Sequence, residues 1–300
     1  MAGALTQVDL SQLAAPAVVE ALDFETILSA MVADLVTRDP SFSALLESDP
    51  AFKILEVAAY REMLVRQRVN DAARAVMLAY ASGTDLDQLA ANYGVSRLLI
   101  TPADDTTIPP RAAVYEDDAA LRARTTLSLE GYTSAGSQGS YVFHALSASG
   151  DVRDVSAVSP TPGQVTVYVL ARDGSGAAAP KLLDTVEAAL NAEKVRPMTD
   201  QVTVLSASIV NYTIEAELTI YPGPDSSVVL MAAQDAAAAY AEAQHRMGYD
   251  ITLSGVYAAL HQPGVQKVTL TSPAANIAIS DGQAAYCTAI TITAASAPGV

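Results

Sequence analysis

Tryptophan is absent from this 300-residue chain, cysteine occurs once, histidine three times, and aromatic residues make up only 6%. The single thiol, Cys287, has no internal partner, so a disulfide framework is excluded. Basic residues are also scarce: 17 Lys and Arg stand against 33 Asp and Glu, a formal net charge of −16. A chain this acidic is poorly suited to gripping a nucleic-acid backbone, where basic side chains must replace condensed counterions. Long apolar runs are missing too. The purest, Ala236 to Ala239, is closely flanked by Asp235 and Glu242, and nothing approaches the roughly 18 uncharged residues that span a bilayer. The first basic residue is Arg38, so no positively charged region precedes an apolar stretch as in a secretory leader. The expectation is a soluble protein made in a reducing cytoplasm, without membrane insertion. Asn211-Tyr212-Thr213 fits the glycosylation sequon and, with no leader in view, is read as chance.

What is present is alanine, 57 residues of it, within a hydrophobic content of 51% against 17% charged. That balance excludes disorder, which needs low hydrophobicity and high charge. A chain of this length buries roughly 75% of its unfolded surface, divided among two or three domains.

The first hundred residues read as helical. Asp23 can cap a helix over 24–38, with Phe24, Ile27, Leu28, Met31 and Leu35 at helical spacing. Asp39-Pro40 ends it. A short helix over 41–47 follows. Asp49-Pro50 then starts the longest helix, 51–81, which Gly83 is positioned to close. Asp85 opens a brief helix, 86–93, ended by Gly94. Residues 101–113 hold three prolines without periodicity and read as a linker or loop. Helices are expected over 117–129 and 140–148, separated by a small-residue turn over 131–139.

The remainder is mixed. Residues 165–171 form a strand, 180–193 an amphipathic helix and 202–207 the next strand, a β-α-β unit. Tyr212, Ile214, Ala216, Leu218 and Ile220 alternate with Thr213, Glu215, Glu217, Thr219 and Tyr221, the pattern of a half-buried strand with one wet face. Helices over 227–245 and 253–261 and a strand over 265–271 complete a β-α-α-β unit; 277–279 and 287–293 read as further short strands. The fold class is therefore multidomain α+β. A helical region, 1–100, leads through a linker and helical segment, 101–150, to two small α+β domains, 151–208 and 209–300. The 165–172 and 212–221 strands are expected to supply sheet edges able to pair with another chain unless covered.

No constellation carries chemistry. His144, His245 and His261 lie on separate helices without metal-ligand spacing and read as surface or helix-end residues. The serines around Gly136 lack a nucleophile elbow, no phosphate-binding glycine motif occurs, and Asp104-Asp105 and Asp117-Asp118 do not match a calcium loop. No catalytic residue, metal or cofactor is expected.

The informative element is the long helix. Leu55, Ala58, Glu62, Val65, Val69, Ala72, Val76 and Ala79 recur at alternating steps of three and four, a seam with Glu62 as its one ionisable member. A second face carries Arg61, Leu64, Arg68, Asp71, Ala75 and Leu78. The seam can pack on the 24–38 helix of its own chain or against another chain, and the two can coexist. Glu62 cannot stay charged and unpaired in a dry seam, and Arg66, one turn on, is placed to answer it. Leu55, Arg61, Glu62, Val65, Arg68, Val69 and Val76 are the candidate protein–protein interface. Charge is uneven as well: residues 52–81 carry five basic side chains against three acidic, whereas 197–300 carry two against eight. Helix and C-terminal region are therefore expected to meet oppositely charged surfaces.

Asp49-Pro50-Ala51-Phe52-Lys53-Ile54-Leu55-Glu56 leads into Arg66-Gln67-Arg68-Val69-Asn70-Asp71, then Gly83-Thr84-Asp85-Leu86-Asp87-Gln88-Leu89-Ala90 and Tyr93-Gly94-Val95. This run resembles the N-terminal signature of the baseplate J-like family of contractile phage tails and tail-like particles such as R-type pyocins. Glu116-Asp117-Asp118, Tyr132-Thr133-Ser134-Ala135-Gly136-Ser137, Asp151-Val152-Arg153-Asp154-Val155, Pro162-Gly163-Gln164, Val195-Arg196-Pro197, Gly248-Tyr249-Asp250 and Pro263-Gly264-Val265 follow in the family's order, so the resemblance covers roughly 24–272. Where the family has a Gly-Asp-Gly turn after the 165 strand, this chain has Asp173-Gly174-Ser175-Gly176.

The resemblance implies a structural baseplate wedge subunit, not an enzyme, in a phage virion or tail-like particle assembled in the bacterial cytoplasm. It implies pairing with a second wedge protein, contact with neighbouring copies around a six-fold ring, and with hub, spike or sheath-initiating proteins. Helical N-terminal parts would join a core bundle, and rearrangement of the wedges would trigger sheath contraction. Two other classes remain open at this point. A tail-associated cell-wall- or polysaccharide-degrading enzyme would need paired carboxylates, for which Glu215 and Glu217, neighbours at roughly 7 Å on one strand face, are the nearest material. A receptor-binding adhesin fits less well with nearly a hundred helical residues at the start.

Overall fold

A computed structural model describes residues 10, 13–14, 16–133, 136–223 and 225–296. Among these are eight α-helices and eight strands in three small sheets, the multidomain α+β architecture expected. Contacts divide the chain into two compact units, 8–96 and 97–300 apart from the extreme N-terminus.

The first unit is helical. Helix α1, Phe24–Arg38, begins at Asp23, whose carboxylate accepts the Thr26 N–H at 2.7 Å, satisfying one of the free donors of a helix start. Asp39-Pro40 ends it as expected, but 41–47 forms only a short 3₁₀ turn, Pro40–Phe42. Helix α2, Pro50–Ala75, is the longest in the chain and stops six residues short of the expected end. Gly83 does not close it; it opens α3, Gly83–Ala91, with φ of 53°. No breaker marks Val76. Instead the chain turns there through backbone bonds from Met77 to Arg74 and from Tyr80 and Ala81 to Met77, and Ala81, Leu86, Ala90 and Val95 beyond it are each buried. Gly94 ends the segment at φ 69°, the left-handed position where glycine costs least.

The second unit opens with a hairpin of β1, Leu99–Thr101, and β2, Val114–Tyr115. Of the two readings, linker or loop, the loop holds: residues 102–113 connect the hairpin and are pinned by paired backbone bonds of 2.9 Å between Asp104 and Arg111. Helix α4, Asp118–Leu127, is capped by Asp117, and α5, Gln138–Ala148, by Ser137. Ser134 and Ala135 of the intervening turn lie outside the described residues.

The first larger sheet has strand order β3-β4-β5: β3, Val152–Thr161; β4, Gln164–Ala171; β5, Gln201–Ser206. β4 and β5 pair in parallel across helix α6, Pro180–Leu190, the expected β-α-β unit. β3, which has no clean alternation in sequence, pairs antiparallel with β4. Val167, Val169, Val186 and Leu190 are fully buried between sheet and helix. The turn after β4 folds back at Gly176, φ 91°, where an added Cβ would lie 2.4 Å from Leu170 Cδ1 and 2.8 Å from His245 Nε2.

The second sheet has order β7-β6-β8, with β6, Ser208–Ile220, central between antiparallel β7, Val265–Ser272, and parallel β8, Gln283–Ser296. Helices α7, Ser226–Gln244, and α8, Leu253–Leu260, cover one face. β6 alternates as expected: Tyr212, Ile214, Ala216, Leu218 and Ile220 are buried, Glu215 and Glu217 exposed. Two expectations fail here. The 165–172 and 212–221 strands are central, not edges, because β3 and β8 pair along their other sides. Residues 277–279 form no strand and are held by a bridge from Ile277 to Ile251 and by the Ile279 N–H donating to Asp250 at 2.7 Å, whereas 287–293 belongs to the fourteen-residue β8.

One residue, Ala207, separates β5 from β6, and the two sheets are joined beside it by a cluster of Leu170, Ala207, Met247 and Ala284. Arg153 on β3 donates to the carbonyls of His245 and Glu242, both at 3.0 Å, and pairs with the Glu242 carboxylate at 2.7 Å. Asp154 accepts the Met247 N–H at 2.9 Å.

Candidate assembly surface on the long helix

Helix α2 presents two faces, and the heptad-like seam divides between them. α1 packs on Phe52, Leu55, Ala59 and Met63, with Ala59 fully buried against Ile27 and Leu28. Farther along the same side, Asn70 is buried and exchanges two hydrogen bonds with the Glu20 backbone, accepting its N–H at 3.0 Å and donating to its carbonyl at 2.9 Å. At 100° per residue, the remaining seam lies about a third of a turn around the helix. Val65 and Val69 of that seam are 64% and 55% exposed, Val76 just past the helix end 69%, and Ile54 and Val57 beside the seam 69% and 63%; Ala58, Arg61, Arg68 and Ala72 are exposed among them.

Of the seven candidate residues, Leu55 and Glu62 sit at the border of the two faces, Arg61, Val65, Arg68 and Val69 lie on the open one, and Val76 lies just past the helix end, exposed. Leu55 packs on α1. Glu62 is partly buried, and Arg66 answers it as expected, donating to Glu62 at 2.6 Å while its other branch reaches Glu20 at 3.3 Å. The Glu62 hydrogen bond holds the Arg66 guanidinium further toward its charged form. Arg61 and Arg68 stand seven residues apart, about 10.5 Å along the axis, and carry positive charge on an otherwise apolar stripe. An amphipathic helix with a second apolar face is the form that packs against a helix of a partner. Phe52 and Ala59, which settle where α1 lies, were not among the candidates, because the alternating three-four count also admits their register one position away.

Elsewhere the described residues hold no cluster of three or more His, Cys, Asp or Glu able to bind a metal. His144 lies 3.3 Å from the Gly131 carbonyl, and His261 ends α8. His245 ends α7, as expected of a helix-end residue, but is buried rather than on the surface. A cleft of about 700 Å³ opens between α4, β3 and the end of α7. Three of its arginines are engaged internally: Arg124 pairs with Glu116, Arg153 with Glu242, and Arg172 donates to the Gly150 carbonyl at 3.0 Å. Glu215 and Glu217 stand side by side on the open face of β6. No helix among the described residues is long and apolar enough to cross a membrane.

Comparison with known proteins places these elements in a lineage. The baseplate J-like N-terminal domain matches residues 47–104, the central domain 133–206 and the C-terminal domain 212–293. Baseplate protein J of Escherichia phage P2 is 52% identical over 288 residues, covering 94% of this chain and 95% of that protein. A chain of the cryo-EM structure of the anti-feeding prophage baseplate aligns over 60% of this chain with a TM-score of 0.41 and 15% identity; this chain spans 46% of that one. With the three domains matched in order and a relative more than half identical along nearly its whole length, the chain belongs to the baseplate J-like protein family.

Proposed function

We propose that the protein is a structural, non-enzymatic wedge subunit of a contractile-tail baseplate. It pairs with a second wedge protein through the open face of α2 and meets neighbouring copies and hub, spike or sheath-initiating proteins around a six-fold ring. In this reading residues 1–100 enter a core bundle, 101–150 connect it, and 151–208 and 209–300 form the contacts between wedges that rearrange when the sheath contracts, in a phage virion or tail-like particle assembled in the cytoplasm. Family membership supports the baseplate setting. The observation that carries the partner surface is the set of exposed apolar residues Ile54, Val57, Val65 and Val69 on α2, spread over about four helical turns and flanked by Arg61 and Arg68. Exposed apolar surface of this extent on one element marks an interaction site.

The test is particle assembly. Arg61→Glu with Arg68→Glu is expected to remove the chain from purified particles and from complexes with co-expressed baseplate proteins while leaving its circular dichroism and melting temperature unchanged. Normal incorporation of the charge-reversed chain would sink the proposal.

A further inference from the structure

The four edge strands of the two larger sheets are protected unequally. β3 carries Arg153, Asp154 and Pro160; β5 is six residues long; β7 carries Lys267 and lies between Pro263 and Pro273. Charge, proline and shortness are the means by which natural edges avoid pairing with other chains. β8 has none of them: fourteen residues, Gln283–Ser296, without a charge or a proline. Its start is covered where Met247 bridges to Ala284. From Ala289 to Ala295 no strand among the described residues pairs with its outer side.

The two faces beside that edge specify what fits. On one, Ile290 and Ile292 pack on the core beneath α7, and Gln234 of α7 reaches the Ile290 carbonyl at 3.4 Å. On the other, exposed Thr291 and Thr293 stand opposite Glu215 and Glu217 of β6. Among the described residues no cation pairs with either glutamate, and Lys267 lies opposite Thr219 on the far flank. A strand added at the usual spacing of about 4.8 Å sets alternate side chains beside Thr291 and Thr293. Threonine is short, so a Lys or Arg there reaches over it to the glutamates, its stem lying along the sheet.

We propose that the β8 edge from Ala289 to Ala295 receives an extended segment of a partner protein in which Lys or Arg alternates with apolar residues, the basic side facing Glu215 and Glu217 and the apolar side lying under α7. The inference takes the assembly role as its setting but uses a surface separate from α2, so the two can fail independently.

The full chain titrated with a synthetic peptide of about eight residues alternating Val and Lys tests it, with a Val–Glu peptide as the control. Binding by calorimetry is expected for the Lys peptide alone, with hydrogen exchange at residues 289–295 slowed about tenfold. Glu215→Gln with Glu217→Gln weakens that binding about fivefold. Thr291→Lys with Thr293→Lys, both on exposed positions, abolishes it and admits the Glu peptide. The Arg61→Glu, Arg68→Glu chain binds the Lys peptide as the wild type does. No binding, equal binding of both peptides, or protection of 289–295 through self-association of the chain without peptide would each overturn the proposal.

Discussion

His245 shows how one side chain can set the pH response of a junction. It ends α7, is buried, meets Tyr286 edge to face at 5.3 Å between centroids, and lies against the Gly176 turn. Burial pushes its imidazole below the ordinary value of 6.5, and Arg153 pushes it further, against a smaller opposing pull from Glu242. A histidine depressed on folding binds fewer protons folded than unfolded, so its contribution to stability is present above pH 6.5 and lost as pH falls through the folded value. Asp154, which accepts the Met247 N–H at the same junction, acts in the other sense: burial raises its carboxyl above 3.8, against the donations from Met247 and Val155 and the nearby Arg246 and Arg153, so its contribution is present below 3.8 and lost as pH rises through the folded value. The expected result is a melting temperature that declines on acidification below about pH 6.5, with His245→Gln flattening that decline. A profile identical to the wild type in the substituted chain would show that His245 does not govern it. The helix-end position was legible in the sequence; the burial was not. A lone histidine at the end of an alanine-rich helix gives no sign of burial, because the residues that cover it come from β3, β8 and the Gly176 turn.

At the scale of the element, α2 separates a stability face from an assembly face. Ala59 is fully buried where α1 crosses, whereas Val65, six residues on and about a third of a turn around the helix, is 64% exposed. Ala59→Leu is expected to overpack that crossing and cost about 1–3 kcal/mol. Val65→Ser is expected to stay within about 0.5 kcal/mol of the wild type in urea denaturation, yet to weaken incorporation into particles. Equal losses from both would mean that the stripe is part of this chain's own core. The sequence located the helix, its proline start and its amphipathic character, since spacing and Asp49-Pro50 act locally, although the Asp49 carboxylate accepts the Leu46 N–H at 2.8 Å instead of capping the helix. It misplaced the far end: the turn after Ala75 carries no proline or glycine to mark it, and the residues beyond it, Ala81, Leu86 and Ala90, are buried.

For the molecule as a whole, the α+β unit depends on how two sheets meet. Met247 is 4% exposed within the cluster of Leu170, Ala207 and Ala284, and its own N–H is held by Asp154 at 2.9 Å. Truncating a buried methionine removes about 2–5 kcal/mol. Met247→Ala is therefore expected to loosen the junction more than either sheet, so that urea unfolding of the variant splits into two transitions; a single sharp transition would mean that the sheets are cooperative without it.

The sequence alone determined the alternation of β6, the β-α-β and β-α-α-β order, the capped helices and the family signature, because each rests on neighbours within a few residues or on motifs in a fixed order. Only the tertiary structure decided which strands are edges, that β3 and the full length of β8 exist, that His245 is buried, and which face of α2 is left open. Those properties depend on pairing and burial between segments far apart in the chain, and strand registry such as Ser208 to Gln283 leaves no periodic trace in either partner.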